Sequence, residues 1–316
     1  MVRPTTLSWL SYGWETTYGT AATTIDKAFG HGVRVTNLTR RNNIEKIFSC
    51  GYRNAQKLVA KKFEGAITME WVLANPWFFK GVMGGSSSTG TDPTTHTFSE
   101  ADSIEGVTIS NNVSMASDAM INLLGSKFAT TTITAAVNEL IRVRADLPYV
   151  NEAKTTTTSS KVADSFDLFT FAHGSLELPN GTTLAMVQNA EVTIANTPEI
   201  VLGLGSRLGQ DQPVKNREYS GTITMALQAS ADLLEKCYGS ATGPSALSVS
   251  EQATMELVFT NGLTSSSKRS INMLFTGVQL DEESMPQDPT AIIMEDVSVV
   301  MRSLSVTADN ATAAVV

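Results

Sequence analysis

The chain repeats itself, and the repeat limits its fold more tightly than any compositional figure. FEGAITMEW (Phe63 to Trp71) returns as YSGTITMAL (Tyr219 to Leu227), with Gly, Ile, Thr and Met held in place. Upstream, IEKIFSCGYR (Ile44 to Arg53) lines up with PEIVLGLGSR (Pro198 to Arg207), which pairs Glu45 with Glu199, Gly51 with Gly205 and Arg53 with Arg207. Downstream, ANPWFFKGVMG (Ala74 to Gly84) lines up with ASADLLEKCYG (Ala229 to Gly239). The separations stay nearly constant: 205 − 51 = 154, 221 − 65 = 156 and 239 − 84 = 155. Collinear matches with such small shifts point to tandem duplication of a whole domain. A chain of 316 residues suits two cores. The expected division is a first domain over residues 1–150 with an N-terminal arm, a polar linker NEAKTTTTSSK over 151–161, and a second domain over 162–316 with a C-terminal tail.

The local patterns are those of strands. Ile67, Met69 and Trp71 alternate with Ala66, Thr68 and Glu70, and Ile223, Met225 and Leu227 alternate with Thr222, Thr224 and Ala226. Period two with one apolar face predicts half-buried strands. The same alternation recurs at Val107/Ile109, Ala190/Val192/Ile194, Met255/Leu257/Phe259, Ile271/Met273/Phe275 and Val297/Val299, with turn signals at Asn180-Gly181 and Asn261-Gly262. One short helix is expected after the opening strand of each copy. In the first, Asn75 is the N-cap, Pro76 the first helical residue and Gly84 the stop; in the second, Ser230 and Gly239 take the end positions. Trp77, Phe78, Leu233 and Leu234 would press these helices onto antiparallel sheets. The fold class is therefore mainly β, as two tandem sandwich or barrel domains with one short α-helix each.

Chemistry is hard to find. The histidines His31, His96 and His173 sit in Gly- or Thr-rich segments without a matched acid or nucleophile in sequence, and no nucleophile elbow, zinc helix or phosphate-binding loop occurs. GLGSRLG (Gly203 to Gly209) does not open a helix and reads as a bulge or turn. Asp281-Glu282-Glu283 reads as a solvated polar loop, while Glu295-Asp296 enters a strand whose carboxylates alternate faces. Cys50 and Cys237 lack metal-site spacing and read as free thiols. Net charge is −8, with no basic run beyond Arg40-Arg41 and Lys61-Lys62, which argues against tight nucleic-acid binding. Charged residues make up only 17% of the chain, which leaves surface for other subunits to cover. No apolar run approaches a membrane span, and the chain is read as soluble and unprocessed. No enzyme activity and no cofactor or metal are expected.

Taken with these exclusions, WETTYGTA (Trp14 to Ala21), IEKIFSCGYR followed by EGAITMEW, and PEIVLGLGSR followed by SGTITMAL resemble the tail tube proteins of tailed bacteriophages and archaeal viruses. The resemblance spans most of the chain and rests on strand and turn patterns. It implies a structural virion protein, made in the host cytoplasm, whose stacked rings form the hollow tail tube that conducts DNA from capsid to host. Single-domain relatives form rings of six, so a duplicated chain implies three chains per pseudo-hexameric ring. The implied partners are further copies of the chain, the tape measure, tail terminator and baseplate, and a sheath where the tail contracts. Viral DNA would cross the lumen without specific binding, and no membrane is involved. In related tubes a long loop reaches the next ring, which makes Lys61, Lys62, Lys215 and Arg217 candidate inter-ring contacts. Thr68, Glu70, Thr224 and Ala226 are candidates for the ring or channel face. The alternatives are the inner tube of a tailocin or other contractile injection device, and a β-sandwich adhesin or carbohydrate-binding protein.

Overall fold

Alternating sequence becomes strands almost throughout. The computed structural model describes residues 8–113, 120–155, 162, 164, 166–179, 181–227, 237–238, 243–244, 252–287 and 292–310. In chain order the first repeat contributes β1 (Ser8–Trp14), β2 (His31–Arg41), β3 (Ile44–Ile47), β4 (Lys57–Ala60), β5 (Glu64–Val72), helix α1 (Phe78–Met83), β6 (Gly84–Thr89), β7 (Thr94–Glu100) and β8 (Val107–Val113). It ends with β9 (Met120–Ser126), β10 (Thr130–Ala136), β11 (Arg142–Tyr149) and β12 (Asn151–Thr155). The second repeat contributes β13 (Gly174–Glu177), β14 (Val187–Ala195), β15 (Val201–Leu202), β16 (Gly209–Asp211) and β17 (Glu218–Ala226), then β18 (Gln252–Thr260), β19 (Ser270–Ser284), β20 (Met294–Met301) and β21 (Ser303–Asn310).

The two repeats have the same plan. In the first, β2-β5-β11-β10 form one antiparallel sheet and β1-β8-β9-β12 a second. In the second, β14-β17-β20 and the end of β19 match the former, while β13-β18, the start of β19 and β21 match the latter. The strands cross from one sheet to the other at Gly125 (φ 65°) and Gly277 (φ 62°), where left-handed backbone suits glycine. At Gly125 a Cβ would also lie 2.5 Å from the Val150 Cγ2. Finer details repeat as well. Gly51 and Gly205 share φ near 90° (86° and 90°), and Asn43 and Thr197 share φ near 45° (46° and 41°). Thr68 donates to the Asp146 carboxylate at 2.6 Å, and Thr224 donates to Asp296 at the same distance.

The core lies between the sheets. Ile67, Met69 and Trp71 are sealed from solvent, as are Ile223 and Met225 in the second copy. Trp71 meets Phe29 at 5.3 Å and Phe78 at 5.4 Å between ring centroids, and Phe29 stacks on Tyr12 at 4.3 Å. Each such side chain contributes about 1.5–3 kcal/mol by leaving water, so this aromatic column is a main tie between the first repeat's sheets.

Four sequence expectations need correction or restriction. The stretch read as a linker begins as strand β12, paired with β9, because its Asn, Glu, Lys and Thr occupy an edge that needs no second apolar face. Asp281, Glu282 and Glu283 are not in a loop but finish strand β19 beside β20, where an edge tolerates charge. Helix α1 starts at Phe78, two residues beyond Pro76; Asn75 accepts the Trp77 N–H at 3.2 Å, and Gly84 closes the end as expected. Of the second helix only Cys237 and Tyr238 are described, both helical; Ser230, Leu233, Leu234 and Gly239 lie outside the described residues, as does Asn180.

The halves are also joined more closely than a tandem arrangement requires. β10 pairs with β14 from Thr130↔Ala195 to Ala136↔Asn189, so β2-β5-β11-β10-β14-β17-β20-β19 form one continuous run of eight strands. On the outer layer, the β6–β7 hairpin of the first repeat adds to the second repeat through β7 and β21, from Thr94↔Asn310 to Phe98↔Val306.

Candidate functional site: a polar sheet face and two exposed arms

One face of the eight-strand run packs on the core, and the other is polar. Alternation and register place Ala66, Thr68 and Glu70 on this second face beside Arg142, Arg144 and Asp146 of β11, and Thr222, Thr224 and Ala226 beside Asp296 and Ser298 of β20. Thr130, Thr132 and Thr134 continue the face through β10 to Glu191, Thr193 and Ala195 of β14. Thr132 and Thr193 hydrogen-bond across the repeat boundary at 3.0 Å. All four candidate face residues from the sequence, Thr68, Glu70, Thr224 and Ala226, thus lie on one continuous surface.

Its charge differs between repeats. In the first, Glu70 bonds Arg34 at 2.6 Å and Arg142 at 3.2 Å, and the Arg34 hydrogen bond, followed by the Arg charges, holds its carboxyl below the ordinary carboxylate range. Ala226 occupies the matching place in the second repeat, where Glu191, Asp296 and Glu282 bring acid to the same face. The surface is therefore mixed in sign over the first repeat and acidic over this part of the second.

Two hairpins project from the sheet. The first arm, residues 44–60, carries β3 and β4; the second, residues 198–214, carries β15 and β16. The arms align residue for residue with an offset of 154, since 199 − 45 and 215 − 61 both equal 154. Each has the same ion pair at its base, Lys61 with Glu45 and Lys215 with Glu199. Lys62 pairs with Glu64. Arg217 is placed differently: its Nε donates to Asn196 Oδ1 at 2.8 Å, and its Nη2 donates to the Met83 and Ala101 carbonyls at 3.3 Å. Three of the four candidate cations thus stand on exposed surface near the arm bases, while Arg217 binds the first repeat of its own chain.

The arms differ in their surroundings. The second lies across the first repeat. Tyr18 donates to Gln212 Oε1 at 3.1 Å, Lys127 Nζ donates to the Gln212 carbonyl at 2.7 Å, and the Phe63 N–H reaches the Arg207 carbonyl at 2.9 Å. Burial lowers the Lys127 pKa, opposed by the nearby Asp211 carboxylate and Glu15. Among the described residues the first arm has no such support, and it exposes Ile44, Ile47, Phe48, Tyr52, Leu58 and Val59. Sequence reading missed this asymmetry because the differences between the arms, such as Leu58 against Gln212, gain meaning only once the second repeat lies beside the first.

The junction itself was also not anticipated. Asn196, 1% exposed, donates from Nδ2 to the Val82 carbonyl at 3.0 Å and the Phe128 carbonyl at 3.1 Å while accepting from Arg217. Contacts to backbone carbonyls leave no side-chain pattern to read.

The histidines serve packing. His31 Nε2 meets the Phe166 carbonyl at 2.7 Å, buried His96 sits between Ser88 and Asn310, and His173 bonds its own turn at Thr170. Among the described residues no group of His, Cys, Asp and Glu is arranged to hold a metal, and no helix is long and apolar enough to cross a membrane. The sequence model of one family, described as phage tail tube protein, matches residues 7–310. No curated protein matches the chain.

Proposed function

Because the chain belongs to the phage tail tube protein family, whose members are structural components of the virion tail, we propose that three copies close into a ring, that rings stack, and that DNA passes through the bore. The observation that carries this reading is the continuous eight-strand sheet in which each repeat contributes the same four-strand unit. The β10–β14 pairing joins one unit to the next, and β2 at one end is bonded only to β5 among the described residues. Repeating the junction between chains would give 3 × 8 = 24 strands. At about 4.8 Å between strands and a tilt of about 40°, that circle is roughly 48 Å across at the backbone, or about 38 Å inside the side chains. A duplex fits this bore.

The polar face with Thr68, Glu70, Thr224 and Ala226 then lines the lumen. Threonine hydroxyls bonded to neighbouring strands offer phosphate little to hold, and carboxylates repel it. The arm bases, with Lys61, Lys62 and Lys215, face the next ring. Apolar residues exposed in both arms, Ile47 and Phe48 in the first and Val201, Leu202 and Leu204 in the second, supply its apolar contact. Arg217 keeps the two repeats in one ring by binding within the chain.

Averaged electron-microscopy cross-sections of the purified, assembled protein test this. Hollow tubes with three chains and pseudo-sixfold density are expected, whereas six chains per ring would overturn the stoichiometry. Solid fibres would overturn the conduit.

A further inference from the structure

We infer that the first arm is a lateral clasp which lies across the second repeat of a neighbouring copy of this chain in the same ring. This rests on the ring reading above, and its evidence is the one place where the chain already makes such a contact within itself.

Gln212 of the second arm is fully buried against the first repeat. Its counterpart in the first arm, 212 − 154 = 58, is Leu58, which is 66% exposed. The same position in two copies of one hairpin is thus sealed in one and bare in the other. What covers the second arm is the neighbouring repeat; what would cover the first is the repeat that follows around a closed ring. Within one chain the two cannot meet, because β2 and the end of β19 lie at opposite ends of the eight-strand run.

The charges support the same partner. In the contact already present, Lys127 of the body bonds the arm at the Gln212 carbonyl, next to the acid Asp211, whose charge opposes the lowering of the Lys127 pKa by burial. In the first arm the residue matching Asp211 is Lys57. Counted from the crossing glycines Gly125 and Gly277, the place of Lys127 on the second repeat falls at Gln279, and the bulge between Leu280 and Glu282 that follows sets the exposed Asp281 beside it. The arm residue thus changes from acid to base, and the body residue from base to a neutral side chain with acid next to it. Either arm would meet like charge on the wrong repeat, so the change favours alternation of first and second repeats around the ring. The backbone at the receiving point is preserved: Val150 N–H bonds the Leu124 carbonyl at 3.1 Å, and Arg302 N–H bonds the Thr276 carbonyl at 3.0 Å.

A disulfide can read this contact. A Cβ on Gly209 would lie 3.0 Å from the Val150 Cβ, and the matching positions are Ala55 (209 − 154) and Arg302. Disulfides form at Cβ separations of about 3.5–4.5 Å. In a full-length Cys50→Ser background, Ala55→Cys with Arg302→Cys is assembled, checked for rings by negative-stain microscopy, oxidised and run without reductant. Covalent species that end at three chains are expected. Single chains from rings seen by microscopy, or a ladder that continues past three, would overturn the clasp while leaving the ring reading intact. Failure of the chain to form rings at all would remove both. A second measurement uses only exposed residues: Lys57→Asp should raise the concentration for half-assembly about tenfold, and Asp281→Lys should restore it. Lack of rescue would overturn the pairing.

Discussion

Asn196 offers the sharpest test of how the repeats are joined. Replacing it by alanine removes the amide that donates to the Val82 and Phe128 carbonyls, at 3.0 and 3.1 Å, and the oxygen that receives Arg217 Nε at 2.8 Å. The site is closed to water, with Asn196 only 1% exposed, so each carbonyl left without a donor costs about 1–3 kcal/mol. Together the loss is about 2–6 kcal/mol. At about 2 °C per kcal/mol for a chain of this size, the melting temperature of the unassembled protein should fall by about 4–12 °C, measured by circular dichroism. Arg217→Ala should also destabilise, because its guanidinium reaches the Met83 and Ala101 carbonyls of the first repeat. The double variant should lose less than the sum of the singles, with a coupling of at least about 0.5 kcal/mol, because both share one hydrogen bond. A loss below about 0.5 kcal/mol for Asn196→Ala, or strict additivity with Arg217→Ala, would refute the view that these two residues lock the repeats together.

Three further outcomes are expected. The Glu295 carboxyl, buried and facing Glu283, is pushed up to about 7 by desolvation first and by the Glu283 carboxylate next. The folded chain then holds its proton after the unfolded chain has released it. Stability from this group is full below the ordinary carboxylate value, falls as pH rises toward 7 and stays low beyond it. Glu295→Gln should flatten that part of the urea-midpoint-against-pH curve and stabilise the protein at pH 8; an unchanged slope would count against it. Glu70 behaves oppositely, since its depressed pKa contributes stability that is lost on acidification, and Glu70→Gln should cost no more than about 1 kcal/mol at neutral pH with a weaker loss in acid. A variant as acid-sensitive as the parent would contradict this. Phe48→Ser with Leu204→Ser should leave single rings while shortening stacks, scored by tube length in micrographs; full-length tubes would remove the arm tips from stacking.

The strand faces were legible because a sheet with one buried side writes period two into the sequence, as Ile67/Met69/Trp71 and Ile223/Met225 do. Charge at an edge was harder to read. Asp281 to Glu283 and Asn151 to Thr155 look like loop because polarity is the usual mark of loops, yet an edge strand satisfies half its backbone and leaves side chains such as Asp281, Glu282 and Lys154 in solvent. The β6–β7 hairpin could not be assigned to the second repeat because GGSSST has no apolar rhythm to show which sheet it joins. Of the candidate surfaces, the shared face of Thr68 and Thr224 followed from alternation alone. Arg217 did not, because its place depends on the Met83 and Ala101 carbonyls, distant in sequence.

That hairpin also bears on how such a chain can change. With β7 of the first repeat completing the outer layer of the second, neither half retains its full complement of strands once separated. Mutations along β7 and β21 must therefore stay matched to each other across some 200 residues (306 − 98 = 208). A boundary that lies within one chain is inherited with it and fixed in composition. Divergence between the two copies is left to the solvent-facing parts, such as the arms, where Lys57 stands in the place of Asp211, and the polar sheet face, which is mixed in sign over the first repeat and acidic over part of the second.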